Sequence, residues 1–132
     1  MTQKEFITKM VDISHLEEYN CYGHYPFQLY VENLNGNREM NALALGGDVK
    51  AVYRRAGEYV KKGFKFLHLS LDFPASMDMK KDFVAVFSII ENKLTVIAIP
   101  YDVDNGNTFD IITESKVLND IIENFKTVTN FK

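Results

Sequence analysis

Residues 82–101 read DFVAVFSIIENKLTVIAIPY, two strand-like arms around a tight turn at Glu91-Asn92-Lys93. In the first arm Phe83, Ala85, Phe87 and Ile89 alternate with Val84, Val86 and Ile90, so both faces are largely apolar. The second arm repeats this, with Leu94, Val96 and Ala98 against Ile97, Ile99 and Tyr101. A sheet wetted on one face would alternate apolar with polar residues. The hairpin is therefore expected to be covered on both faces, by helices or by a partner subunit.

Just upstream, the period from Phe64 to Phe73 is again two, with Phe64, Phe66, His68, Ser70 and Asp72 on one side. Lys65, Leu67, Leu69, Leu71 and Phe73 form the other side, and Pro74 ends the run. Before it, Asp48 is placed to N-cap a helix whose Val49, Val52, Tyr53, Ala56, Tyr59 and Val60 share one face and which Gly63 stops. Two further strand-like runs, Phe27 to Asn33 and Arg38 to Leu45, flank Leu34-Asn35-Gly36-Asn37. The Asn-Gly pair predicts a type I′ hairpin turn there.

At the start, Thr2 with Glu5 makes a capping-box pattern, and Phe6, Ile7, Met10 and Ile13 follow at helical spacing, predicting a helix over 2–19. The stretch NCYGHYP, residues 20–26, reads as a loop. Downstream, Asn105-Gly106 predicts a turn returning through Thr108 to Ile112 as a strand. Thr113 or Ser115 is placed to cap a last helix bearing Val117, Leu118, Ile121, Ile122, Phe125 and Val128. The expected order is α-β-β-α-β-β-β-β-α. It describes a single α+β domain over 1–132, a largely antiparallel sheet of about five or six strands with helices packed on it.

A chain of 132 residues is long enough to bury roughly two thirds of its unfolded surface. With 46% hydrophobic and 25% charged residues it is expected to fold as a globular protein. A net charge of −3 supplies no general attraction for phosphate backbones or anionic lipid, so a nucleic-acid partner is not expected. No apolar run approaches the ~18 residues of a spanning helix, and the start lacks the apolar stretch of a secretion signal. With a single cysteine, Cys21, the expected location is the cytoplasm. Lysine-rich, arginine-poor usage with many Asn and Ile points to a bacterial or phage source.

His68, Ser70 and Asp72 project from one face of a strand, about 7 Å apart in succession. They form a candidate metal or acid/base cluster that Asp78 or Asp82 would complete. The alternative is a face partly open to water. The hairpin, the helix, the His-bearing strand and a loop with Ser76 and Asp78 together resemble the JAB/MPN metalloprotease domain over about half the chain. That family carries His-x-His followed by Pro, then Ser-x-x-Asp. Here Ser70 stands where the second His belongs, and Ser76-Met77-Asp78 is one residue short and too close. The resemblance implies a degenerate relative without zinc.

Cys21 with His24 and His15 forms no recognised zinc spacing. The aromatics of the same loop, Tyr19, Tyr22, Tyr25 and Phe27, read either as interface anchors or as a loop tucked onto the core. Asp102 to Asn107 has the acids of a calcium loop but the wrong register for an EF-hand, and reads as a turn. Gly46-Gly47-Asp48 opens a helix without the spacing of a nucleotide-binding loop. Lys50, Arg54, Arg55, Lys61 and Lys62 form a basic strip with Glu58 as the lone acid.

The expectation from sequence is a small interaction or regulatory domain with no catalytic residues, no metal and no cofactor. Its binding residues would be Tyr22, His24, Tyr25, Arg54 and Arg55, and its partner a protein. A homodimer built on the doubly apolar hairpin is one alternative. A hydrolase or metal-dependent enzyme centred on His68, Ser70 and Asp72 is the other.

Overall fold

The computed structural model describes residues 2–10, 27–43 and 48–132. Its elements are α1 (Gln3–Met10), β1 (Phe27–Glu32), β2 (Arg38–Leu43), α2 (Val49–Lys62), β3 (Phe66–Phe73), β4 (Phe83–Ile90), β5 (Lys93–Pro100) and α3 (Lys116–Thr129). The strands form one antiparallel sheet in the order β2-β1-β3-β4-β5. The α+β character expected from sequence is present.

The β4–β5 hairpin turns at Glu91 and Asn92, both with positive φ (53° and 62°), as a type I′ turn requires. The β1–β2 turn differs from expectation. Only Gly36 has positive φ there (85°), its N–H bonds to the Asn33 carbonyl, and the Asn33 N–H bonds to the Asn37 carbonyl. This is a type I turn followed by a glycine bulge, because three residues rather than two separate the paired ends. The Asn33 side chain holds it by accepting from the N–H groups of Asn35 and Asn37.

The expected last strand is also corrected. Residues 108–112 meet the sheet only at the isolated bridges Tyr101–Thr108 and Ala98–Ile112. Asx turns at Asp102 and Asn105 and a Gly106 N–H bond to the Asp102 carbonyl curl the preceding segment. Pro100 ends β5 at a position whose backbone faces the outer edge, where a missing N–H leaves no ladder bond unmade.

The helices begin and end where local chemistry dictates. The Asp48 carboxylate accepts from the Ala51 N–H to start α2, and Gly63, at φ 90°, ends it by bonding to the Tyr59 carbonyl. Ser115 accepts from Leu118 N–H to start α3, and Asn130 ends it in the left-handed region. Thr2 caps α1 by accepting from the Glu5 N–H. The part of the first helix expected beyond Met10 lies outside the described residues.

Both faces of the sheet are buried. On one, α2 and α3 pack Val52, Tyr53, Ala56, Leu118 and Phe125 onto Leu67, Leu69, Phe87, Ile89 and their neighbours. Each such large apolar side chain contributes roughly 1.5–3 kcal/mol relative to exposure. On the other, Phe6 of α1 packs with Tyr30, Val84, Val86, Ile97, Ile99 and Tyr101. The doubly apolar reading of the hairpin is thus met within one chain.

Candidate functional site

The polar row predicted on β3 lies on the α1 side of the sheet. Register sets His68 between Tyr30 and Ser88, and Ser70 between Gln28 and Val86. His68 and Ser70 are fully buried and Ser88 is nearly so. His68 and Ser70 are thus shut off from water, while Asp72 at the end of the row is half-buried. Phe6 stacks on the His68 imidazole at 5.2 Å between centroids and 20° between planes, and Tyr30 and Phe66 flank it at 6.1 and 5.8 Å.

The three polar residues do not act together. His68 Nδ1 shares a 2.7 Å hydrogen bond with Ser88 Oγ. The Tyr101 hydroxyl lies 2.6 and 2.7 Å from the two carboxylate oxygens of Asp72 and donates there. Ser70 Oγ, between them, has no hydrogen-bond partner among the described residues. A His–Ser pair has the residue types of a base and a nucleophile. Here both are buried.

The two carboxylates expected to complete the cluster do other work. Asp78 accepts from the backbone N–H groups of Lys116 (2.8 Å) and Val117 (3.3 Å), tying the β3–β4 loop to the first turn of α3 on the opposite side of the sheet. The Lys116 N–H bond, chiefly, holds its carboxyl below the usual range. Asp82 accepts from the Ala75 N–H and closes the same loop. Among the described residues no group of three His, Cys, Asp or Glu side chains is arranged to hold a metal ion. Asp78 as an anchor for α3 was invisible in the sequence, since 38 residues separate it from Lys116.

Of the expected binding residues, Arg54 and Arg55 are exposed on α2. Tyr22, His24 and Tyr25 lie outside the described residues, as do Cys21, His15, Tyr19, Gly46 and Gly47. At 100° per residue, Lys50, Arg54 and Lys61 form a ridge directly opposite the buried Val52, Tyr53 and Ala56. Arg55 and Lys62 lie beside it. None of these five cations makes an ion pair among the described residues; the ion pairs there are Arg38–Glu32 at 2.8 Å and the longer Lys65–Glu32 at 4.0 Å. The Arg38 hydrogen bond is the main cause of a lowered Glu32 carboxyl.

Lys61 and Lys62 sit in the last turn, where positive charge complements the helix dipole. Lys50 has no such excuse. It stands in a first turn that carries no acid, where the dipole disfavours a cation.

The described residues form an antiparallel α+β domain with a largely buried polar row on β3 and one basic helix face. No helix among the described residues is long and apolar enough to cross a membrane. Comparison with known proteins returned no match to a family model, a curated protein or a solved structure.

Proposed function

We propose that the chain is a small binding or regulatory domain that docks an acidic protein surface on the outer face of α2, with no chemistry of its own. The observation that carries this reading is the basic outer face of α2, with Lys50 and Arg54 on its ridge and Arg55 beside it. These are exposed, unpaired by described acids, and set on a chain whose net charge is −3. Segregated charge of this kind steers a complementary partner and sets its orientation, and its effect weakens with salt. Tyr22, His24 and Tyr25 belong to the proposal through their sequence, as aromatic anchors that would supply apolar contact. The enzymatic alternative at His68, Ser70 and Asp72 would need a substrate to reach His68 and Ser70, which are fully buried, beside an Asp72 that is half-buried.

The test is affinity capture from nuclease-treated native lysate, with the wild type beside a Lys50→Glu, Arg54→Glu, Arg55→Glu variant. The expected result is a stoichiometric protein held by the wild type, released by salt and lost by the variant, with the melting temperature unchanged. Equal capture by both, or capture of nucleic acid alone without nuclease treatment, would refute it.

A further inference from the structure

Exposed apolar side chains gather at one end of the sheet. Of the five large ones among the described residues, four, Met77, Val103, Phe109 and Ile111, lie on the β3–β4 loop or on the segment that follows β5. Leu34 alone stands at the other end, in the β1–β2 turn. Single exposed apolar residues need no explanation, whereas a gathered set marks a contact surface.

A groove runs between these two pieces of chain, and both of its walls are held in place. On the loop wall, Asp78 is engaged by the N–H groups of Lys116 and Val117, and Asp82 by that of Ala75. The charges this loop turns to solvent are therefore those of the exposed Lys80 and Lys81. The other wall is pinned to β5 by the two bonds between Ala98 and Ile112 and by the Phe109 N–H on the Pro100 carbonyl. It presents Phe109, 46% exposed, and the exposed Asp110. The Lys81 ammonium lies 4.6 Å from the centre of the Phe109 ring, a cation–π contact. Among the described residues neither lysine forms an ion pair with Asp110, so opposite charges stand on the two walls without pairing inside one chain.

We propose that this end of the sheet is an interface with a second copy of the chain, related by a two-fold axis passing beside Phe109. Such an axis sets Lys80 and Lys81 of one copy against Asp110 of the other, and the reverse, while the Phe109 and Ile111 side chains of both copies supply the apolar centre. A surface carrying one sign of charge would repel its own copy; this one is complementary to itself. Both walls are fixed before contact, so little ordering opposes association. The interface uses no residue of α2 and goes beyond the acidic-partner reading.

The test is sedimentation velocity of the full chain over a concentration series reaching the millimolar range. Expected is a concentration-dependent species of twice the mass of one chain. Phe109→Ser, the double variant Lys80→Glu, Lys81→Glu, and Asp110→Lys should each weaken it about tenfold or more, with the circular-dichroism spectrum unchanged. The deciding arm mixes the two charge variants: in that pair opposite charges meet at both contacts, so a heterodimer should form with near wild-type affinity. The Lys50→Glu, Arg54→Glu, Arg55→Glu variant should dimerise as wild type does. A monomer at every concentration, charge variants that each dimerise like wild type, a mixture no stronger than either variant alone, or loss of the dimer in the α2 variant would each overturn the proposal.

Discussion

Replacing Tyr53 by Phe should make this protein more stable, although the side chain is a fully buried part of its core. The ring makes edge contacts with Phe87 (5.9 Å, 72°) and Phe125 (5.3 Å, 85°), and Phe keeps both. What is removed is a hydroxyl that gave up its water on folding and has no partner in exchange among the described residues. An unsatisfied buried polar group costs about 1–3 kcal/mol. With roughly 4 °C of melting temperature per kcal/mol for a chain of this size, the gain should be about 4 °C or more. Differential scanning calorimetry and urea unfolding would measure it, with the midpoint rising and the slope unchanged. Tyr53→Ala, by contrast, removes the ring and should cost about 3–5 kcal/mol. A Tyr53→Phe protein no more stable than wild type would mean that the hydroxyl is satisfied in solution.

Gly57, inside α2, lets α3 approach: a Cβ there would sit 3.3 Å from the Thr129 Cα. The gain in helix propensity from Gly57→Ala, about 1 kcal/mol, should be cancelled by displacement of the end of α3, and Gly57→Leu should lower the melting temperature clearly. A full propensity gain in Gly57→Ala would show that the helices are not in contact there. Asp78 has its folded pKa lowered, so the unfolded chain binds the extra proton and this contribution is present above about pH 4 and lost as pH falls further. Asp78→Asn should therefore melt lower than wild type at neutral pH and converge with it in strong acid; a pH-independent difference would contradict the assigned role.

Local signals carried much of the architecture. Asp48, Gly63 and Ser115 bound their helices where side-chain caps and a positive φ are required, and the period of two from residue 66 to 73 is a strand. The turn at Asn35-Gly36 was legible as a hairpin but not in its type. That depends on which residues of the two strands pair, and the pairing places one more residue in the loop than a type I′ turn holds. The polar row was visible as His68, Ser70 and Asp72 on one face, whereas its burial was not. Alternation says which residues share a face and is silent about what lies over it.

From sequence alone came the alternation and period of each element, its caps, the apolar character of both faces of the hairpin, and the segregation of cations on α2. These depend on neighbours within a few residues. Tertiary structure decided that β3 lies between β1 and β4, that Phe6 stacks on His68, and that Asp78 holds the first turn of α3. It also decided that the Tyr53 hydroxyl is buried without a hydrogen-bond partner among the described residues. Each of these joins residues far apart in the chain, and such contacts are selected by the packing of the whole core, which no local pattern encodes.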